Sequence, residues 1–240
     1  MFRIFSFVLV IVLVSCRVMS PVHSKEYEAI LDNKHFRQLP EEVFSKVELK
    51  TLSLFNNELD SLPEQLAELK DLEVLYLGKN NFKQFPSVIF KLKKLRILSL
   101  AYNEIDSIPA EIFQLENLEL LQLNNNRICF ISDSIGALKQ LTQLNLSRNN
   151  LSVLPEQIGS CSLLRTLQLN FNNLKMLPAS IGNLSHLKEL ELYRAGALVQ
   201  LPESICNLRY LEFLKVDQMI VVPTCLLTQK TNRLIIQSVE

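Results

Sequence analysis

The chain has 240 residues, of which 25 are basic and 25 are acidic, so its formal net charge is zero. Proteins that bind nucleic acids usually carry a basic excess, and the balanced charge therefore argues against that class. Leu accounts for 47 residues and Asn for 19, whereas there are only 5 Gly. So many apolar residues predict a densely packed interior and exclude a disordered chain. The three histidines, His23, His35 and His186, are far apart in the sequence, which argues against a zinc site built on histidine.

The first segment of the chain is an apolar run at residues 4–14, which follows Arg3 and is interrupted only by Ser6. The run is too short to span a bilayer comfortably, and its length is typical of the hydrophobic region of a signal peptide. A buried core strand or an uncleaved anchor is the alternative. We predict that residues 1–15 are a signal peptide and do not belong to the fold.

The apolar run ends in the sequence LVSC at residues 13–16, which resembles the lipobox of bacterial lipoproteins. In that family the cysteine becomes the first residue of the mature chain and carries acyl groups. The resemblance implies that Cys16 is lipidated and that residues 16–25 form a tether to a membrane. Ordinary signal cleavage remains an alternative, because the sequence VHS at residues 22–24 ends in a small residue, as such cleavage sites do.

A 23-residue motif, L-x-x-L-x-L-x-x-N-x-L-x-x-L-P-x-x-I-x-x-L-x-x, repeats along most of the chain. Regular units begin at Leu49, Leu72, Leu95, Leu118, Leu141, Leu164 and Leu187. A degenerate unit precedes them at residues 26–48, the regular units occupy residues 49–210, and an irregular C-terminal cap follows at residues 211–240. Through this motif the chain is identified as a member of the leucine-rich repeat family, with a single repeat domain at residues 26–240.

The order of apolar positions within one unit predicts its local structure. The Leu residues at unit positions 4 and 6 alternate with the residues at positions 3, 5 and 7, as they do in a strand with one buried face. One unit cannot bury that face alone, so neighbouring units must stack. Pro at position 15 and apolar residues at positions 18 and 21 predict a short helical turn. We therefore predict an α/β solenoid, a leucine-rich repeat horseshoe with a concave parallel sheet, short convex helices and about eight units.

An asparagine recurs at position 9 of the units, as Asn57, Asn80, Asn103, Asn126, Asn149 and Asn172. In the leucine-rich repeat family, this side chain lies inside the turn and bonds to the backbone of adjacent coils. The resemblance implies that Asn126 is buried with its amide satisfied. Asn125, one position earlier, is expected to be exposed and to tolerate substitution.

Four cysteines follow the predicted tether, and none of them forms a C-x-x-C motif. Cys161 replaces a core Leu, so it is expected to be a small buried hydrophobe. Cys206 and Cys225 occupy neighbouring positions of adjacent coils, where an exported protein could form a disulfide. The repeat is irregular at that point, and free thiols are the alternative. Cys129 is the fourth of these cysteines.

The candidate binding residues are those that the strand alternation places outside the core, on the concave face. A contiguous apolar and aromatic surface outside the core is typical of protein interaction sites. The first group contains Phe55, Val74, Tyr76, Ile97, Tyr102 and Leu120. A second group contains Phe171, Tyr193 and Arg194, whose combination of aromatic and arginine side chains is common at binding hot spots.

The sequence contains no motif for nucleotide binding and no cluster of His, Asp and Cys suited to catalysis. We therefore predict a protein that is not an enzyme and has no catalytic, cofactor-binding or metal-binding residues. The resemblances imply an exported lipoprotein of the bacterial cell envelope that binds a protein partner, in host adhesion or envelope assembly. The alternative is an intracellular signalling scaffold, because the repeat also resembles small-GTPase-associated leucine-rich repeat proteins. The N-terminal export segment argues against that alternative.

Overall fold

The computed structural model describes residues 27–228 and 234–239. The predicted signal peptide, the lipidation candidate Cys16 and the predicted tether lie outside the described residues. Within the described part of the chain, the helices are all too short or too polar to cross a membrane.

The main sheet of the described residues has ten parallel strands, which are stacked in chain order. The strands are β1 (Glu28–Ile30), β2 (Thr51–Ser53), β3 (Val74–Tyr76), β4 (Ile97–Ser99), β6 (Leu120–Gln122), β8 (Gln143–Asn145), β9 (Thr166–Gln168), β10 (Glu189–Glu191), β11 (Phe213–Asp217) and β12 (Ile235–Val239). Three of them lie outside the regular units: β1 belongs to the degenerate first unit, and β11 and β12 belong to the C-terminal cap. A separate two-stranded ladder pairs β5 (Ser107–Ile108) with β7 (Phe130–Ile131) on the flank of the solenoid.

Leucines at unit positions 4 and 6 form the core beneath this sheet. Leu98 and Leu100 of β4 and its extension are fully buried, as are Leu121 and Leu123 one coil later. The parallel register places Leu98 between Leu75 and Leu121, so leucines at the same unit position stack on one another along the solenoid. Each buried Leu contributes about 1.5–3 kcal/mol relative to an exposed one, and the stacking explains why single units cannot fold alone.

The convex side consists of short 3-10 helices, one for each unit. They span Glu41–Val43, Glu64–Glu68, Ser87–Lys91, Ala110–Gln114, Asp133–Ala137, Glu156–Ser160, Ala179–Asn183 and Glu203–Asn207. Where a unit has Pro at position 15, this residue is the extended N-cap residue and not the first helical residue, as with Pro109 at ψ 169°. Ser132 replaces Pro in one unit, and its side chain accepts a hydrogen bond from the backbone N–H of Ser134.

Glycine lets the convex helices of consecutive coils approach each other. Gly136, Gly159 and Gly182 occupy position 19 of three consecutive units. A Cβ atom added at Gly182 would lie 2.2 Å from the carbonyl oxygen of Ser204, and one at Gly159 would lie 2.4 Å from that of Ser180. Real Cβ atoms do not come so close to backbone oxygen, so this spacing requires glycine.

The position 9 asparagines form a ladder of side chain to backbone hydrogen bonds, as the family resemblance implied. The amide of Asn103 donates to the carbonyls of Leu77 and Leu100 at 3.0 Å, and its oxygen accepts from the N–H of Phe82 at 3.0 Å. Asn126 makes the equivalent three bonds, although its side chain is half-buried and not fully buried. The ladder satisfies backbone groups that the turn would otherwise leave unpaired.

The residue at unit position 8, which precedes the asparagine or, in one unit, Ala195, adopts a left-handed backbone conformation. The residues concerned are Asn56, Lys79, Tyr102, Asn125, Arg148, Phe171 and Arg194, with φ between 49° and 58°. Asn tolerates this region better than other residues with a Cβ atom, so Asn125→Leu would add backbone strain of about 1–2 kcal/mol. Asn125 is half-buried and not exposed as expected, and its tolerance of substitution stays a prediction.

The repeat is irregular in the last two units, where the chain forms a cap. Ala195 is buried in place of the asparagine, and Gly196 has φ 136° and pairs with Leu174 of the preceding coil. Cys206 and Cys225 form a disulfide with a Cα–Cα distance of 5.9 Å. Cys225 lies in the one-turn helix α1 (Thr224–Thr228).

Candidate protein-binding surface

The first group of candidate residues forms one continuous surface on the concave face, which we call the apolar patch (Phe55, Val74, Tyr76, Ile97, Tyr102 and Leu120). The strand register pairs Val74 with Ile97, and Ile97 with Leu120. These three side chains therefore form a column across β3, β4 and β6, and each is half-buried. Tyr76 stands two residues after Val74 on the same side of β3, where it is also half-buried.

Phe55 and Tyr102 extend the apolar patch towards the ends of the strands. Tyr102 is 54% exposed and Phe55 is 40% exposed. The Phe55 ring lies over Gly78, because a Cβ atom added at Gly78 would be 3.1 Å from Cδ2 of Phe55. Glycine at this position leaves room for the ring, so Phe55 extends the apolar patch over the next coil.

A row of ion pairs borders the apolar patch at the start of the strands. Lys50 lies 3.8 Å from Glu73, Arg96 lies 3.4 Å from Glu73, and the Arg96 Nε atom lies 2.8 Å from Glu119. These side chains are partly or largely exposed, so each pair contributes at most about 1 kcal/mol to stability. Positive and negative charges alternate along the row, which leaves the rim of the apolar patch nearly neutral.

The second group of candidate residues lies further along the concave face, in what we call the cationic cluster (Arg148, Phe171, Tyr193, Arg194 and Lys215). The Phe171 and Tyr193 rings meet edge to face, with centroids 5.4 Å apart. The Arg148 guanidinium lies 4.2 Å from the Phe171 centroid, and Lys215 Nζ lies 5.4 Å from the Tyr193 centroid. The structure therefore adds Arg148 and Lys215 to the three residues that the sequence singled out.

Sequence spacing contained part of the signal for these two additional residues. Arg148 is 23 residues before Phe171, at the same unit position one coil earlier, so the two were bound to be neighbours. Lys215 lies opposite Glu191 in the register of β10 and β11, but the insertion near Gly196 hides this relation in the sequence. Stacking on aromatic faces holds the cations in place, which reduces the entropy cost of using them in binding.

Two carboxylates, Glu189 and Glu191, lie beside the cationic cluster on β10. The amide of Gln168 donates to one oxygen of Glu191 at 2.8 Å, and the amide of Asn170 donates to the other. Glu189 is half-buried, and its contact with the Thr166 hydroxyl is long, at 3.5 Å. Burial raises the pKa of Glu189, and the hydrogen bond and the negative charge of Glu191 raise it further.

The raised pKa of Glu189 predicts how its substitution affects stability. The folded state holds this proton more tightly than the unfolded state, so the stabilisation is complete below the unfolded pKa and is lost as pH rises through the folded pKa. We therefore expect Glu189→Gln to increase the free energy of unfolding at neutral pH and to have little effect below about pH 4. Urea titrations at the two pH values measure this, with the exposed Glu116→Gln as control. A Glu189→Gln effect that does not change with pH would contradict the assignment.

The described residues offer no group of three or more His, Cys, Asp or Glu side chains that could hold a metal ion. Cys161 is buried as predicted, and burial raises the pKa of its thiol to about 11, which disfavours the reactive thiolate.

Family comparisons identify the repeat. Two leucine-rich repeat models match the chain, one at residues 93–151 and a two-copy model at residues 47–89. Together with the asparagine ladder and the ten-stranded sheet, these matches show that the chain belongs to the leucine-rich repeat family. None of the curated proteins is significantly similar to the chain.

Solved structures of several organisms share the fold. A leucine-rich repeat protein of Leptospira interrogans is 33% identical, with a TM-score of 0.77 over 84% of this chain and 52% of that one. An internalin of Listeria monocytogenes is 20% identical, with a TM-score of 0.73 over 89% of this chain and 61% of that one. The ectodomain of the Arabidopsis thaliana receptor kinase GASSHO1/SCHENGEN3, in complex with Casparian strip integrity factor 2, is 26% identical. Its TM-score is 0.57 over 79% of this chain and 26% of that one. This chain thus spans about half of the Leptospira protein and less of the receptor.

Leucine-rich repeat proteins are typically non-enzymatic modules of protein interaction. The structural neighbours include a receptor ectodomain that was solved with its protein partner. The fold and the concave surface therefore define this chain as a candidate protein-binding module.

Proposed function

We propose that the chain is an exported, lipid-anchored protein that binds a protein partner through the apolar patch on its concave face. In this proposal residues 1–15 are removed, Cys16 carries the lipid, residues 16–25 form the tether, and residues 26–240 form the binding domain. Its place is the bacterial cell envelope, where it serves adhesion to a host surface or assembly of the envelope.

The alignment of the apolar patch is the observation that carries the binding proposal. Val74, Ile97 and Leu120 occupy the same register position of three adjacent strands, outside the Leu core. They are not needed to close the core, because positions 4 and 6 already do so. Apolar residues in such a column, with the exposed Tyr102 beside them, supply the dry centre that protein interfaces require.

The disulfide supports export over the intracellular alternative. Disulfides persist in oxidising compartments and are rare in the cytosol. Cys206 and Cys225 are bonded in the cap, and exposed Cys129 is not. A receptor ectodomain and an internalin among the structural neighbours agree with this placement.

Binding measurements on concave variants test the proposal. We expect Tyr102→Ala and Ile97→Asp each to weaken partner binding by about 2 kcal/mol or more, because each removes apolar contact or places a charge in the patch. Their free energies of unfolding should change little, since neither side chain fills the core. The partner is first isolated by co-purification from the native cells, and its affinity for each folded variant is measured by calorimetry.

Convex lysines provide the matched controls for this experiment. Lys91 pairs with Glu64, and Lys139 donates to the carbonyl of Ser160 at 2.9 Å, both on the convex side. Lys91→Glu and Lys139→Glu should leave the affinity nearly unchanged. Loss of binding in the convex variants, with Tyr102→Ala and Ile97→Asp unaffected, would assign binding to the other face.

Lipidation is tested by Cys16→Ala. One acyl chain anchors a protein weakly and several anchor it stably, so loss of the acylation site should release the protein from the membrane fraction. Fractionation of cells that express each variant, with the exposed Cys129→Ser as control, measures this release. A mature protein that begins after residue 24, or one that retains unmodified Cys16, contradicts the lipoprotein assignment.

A further inference from the structure

An apolar row crosses the flank of the solenoid, away from the concave face. We call it the flank stripe, and it consists of Phe130, Val153, Met176, Val199 and Val221. Each of these side chains is between 56% and 71% exposed. The exposed apolar area is on the order of 500 Å², at the upper end of what soluble monomers display in one patch.

The first three members of the flank stripe follow one another from coil to coil. Phe130, Val153 and Met176 are spaced 23 residues apart at unit position 13. Lys175 N–H donates to the Ser152 carbonyl at 3.1 Å, which fixes Met176 beside Val153. In the next coil Val221 pairs with exposed Gln200, and the exposed Val199 lies one residue before Gln200, so a polar side chain adjoins the row where it enters the cap.

The stripe begins abruptly and is not a general property of the repeat. The same unit position holds Ser61, Gln84 and Ser107 in the three preceding coils. Ser107 pairs directly with Phe130 in the small flank ladder, so a polar side chain and an exposed ring are neighbours there. Apolar residues are thus concentrated in the C-terminal coils of one flank.

The borders of the flank stripe carry opposite charges. Exposed Arg127 and Lys175 lie on the side towards the concave face, where the chain leaves the strands, and Arg127 also pairs with Glu104 at 3.2 Å. Exposed Asp133, Glu156 and Glu203 lie on the other side, at the start of the convex helices. A flank with a basic border, an apolar centre and an acidic border is complementary to itself when it is rotated by 180° about the stripe.

We infer that the flank stripe is the interface of a symmetric homodimer, with the two-fold axis along the stripe. In this arrangement Met176 of one protomer meets Met176 of its partner, and the basic border of each protomer meets the acidic border of the other. Lys175 then lies between the levels of Glu156 and Glu203 of the partner, each of which is one coil, about 4.8 Å, away along the stripe.

Two stripes with their charged borders reach the range of a standard interface, about 1,200–2,000 Å² in total. The curvature of the solenoid bends the concave and convex faces, but it leaves the flank flat enough for two copies to meet. The concave sheets remain open in the dimer, so each protomer keeps its own partner site.

Cysteine cross-linking tests the register of the proposed dimer. In the full chain with Cys129→Ser, Met176→Cys should form a disulfide-linked dimer under mild oxidation, because position 176 lies on the axis. Phe113→Cys, on an exposed convex position, is the matched control and should remain monomeric on a non-reducing gel. Equal cross-linking of the two variants would overturn the inference.

Sedimentation equilibrium tests the association itself. The native chain should sediment as a dimer and Met176→Asp as a monomer with an unchanged circular dichroism spectrum. Lys175→Glu should weaken association about ten-fold, and adding Glu203→Lys should restore part of it, because the reversed charges again face each other. A native chain that is monomeric at every soluble concentration, or that is monomeric and binds lipid vesicles through the stripe, overturns the inference. These outcomes do not depend on the concave face, so they are distinct from a failure of the proposed function.

Discussion

Asn172→Leu should lower the free energy of unfolding by about 3 kcal/mol or more, because it removes a set of hydrogen bonds that nothing else replaces. The amide of Asn172 donates to the carbonyls of Leu146 and Leu169 at 3.0 and 2.9 Å, and its oxygen accepts from the N–H of Leu151 at 3.1 Å. Leu has a similar size, so the loss reflects unpaired backbone groups and not a cavity. Urea titration followed by circular dichroism measures it.

The neighbouring asparagine is a matched control for this substitution. Asn173 is exposed and, unlike Asn125, is not among the residues with a left-handed backbone. Asn173→Leu should therefore change the free energy of unfolding by no more than about 0.5 kcal/mol. Similar losses for Asn172→Leu and Asn173→Leu would show that the asparagine ladder does not support the turn.

Removal of the cap disulfide should also have a large effect. Cys206 and Cys225 are separated by 19 residues, and closing a loop of this length stabilises a protein by about 3 kcal/mol. We expect the free energy of unfolding of the double variant Cys206→Ser and Cys225→Ser to be lower by this amount. The C-terminal strand should open first. Cys129→Ser, which removes an exposed free thiol, is the control. Amide hydrogen exchange locates the change, and equal protection of β12 in both variants would contradict a role of the disulfide in the cap.

The repeat pattern predicted the strands and the core, because each follows from a side chain that recurs every 23 residues, and the family resemblance implied the asparagine bonds. Leu98 was assigned to the core from its position and Asn103 to the turn from the resemblance, and the structure agrees. The left-handed position escaped prediction for a different reason. Lys79, Tyr102 and Phe171 occupy it, and none of these residue types is typical of positive φ. The conformation there is imposed by the bonds of the neighbouring coils.

The column of the candidate binding surface was predictable from the sequence, but its details were not. Alternation along the strand was enough to place Ile97 and Leu120 outside the core. The cation–π contacts of Arg148 and Lys215 depend on side-chain rotamers, which a sequence pattern does not specify. The flank stripe was missed because position 13 is variable in the repeat, and only the exposure of Val153 and Met176 reveals it.

Site-specific photo-cross-linking is the most direct test that the concave face binds a protein. The photoreactive amino acid p-benzoylphenylalanine is placed at Tyr102, which is 54% exposed on the concave face, or at Phe113, which is 48% exposed on the convex face. Both positions are aromatic and similarly exposed, so they differ mainly in the face that they probe. After irradiation of native cells, position 102 should yield one saturable cross-linked protein, and excess native chain should compete for it while the Ile97→Asp variant should not. A product at position 113 with none at position 102, or competition by Ile97→Asp equal to that of the native chain, would contradict binding at the concave face.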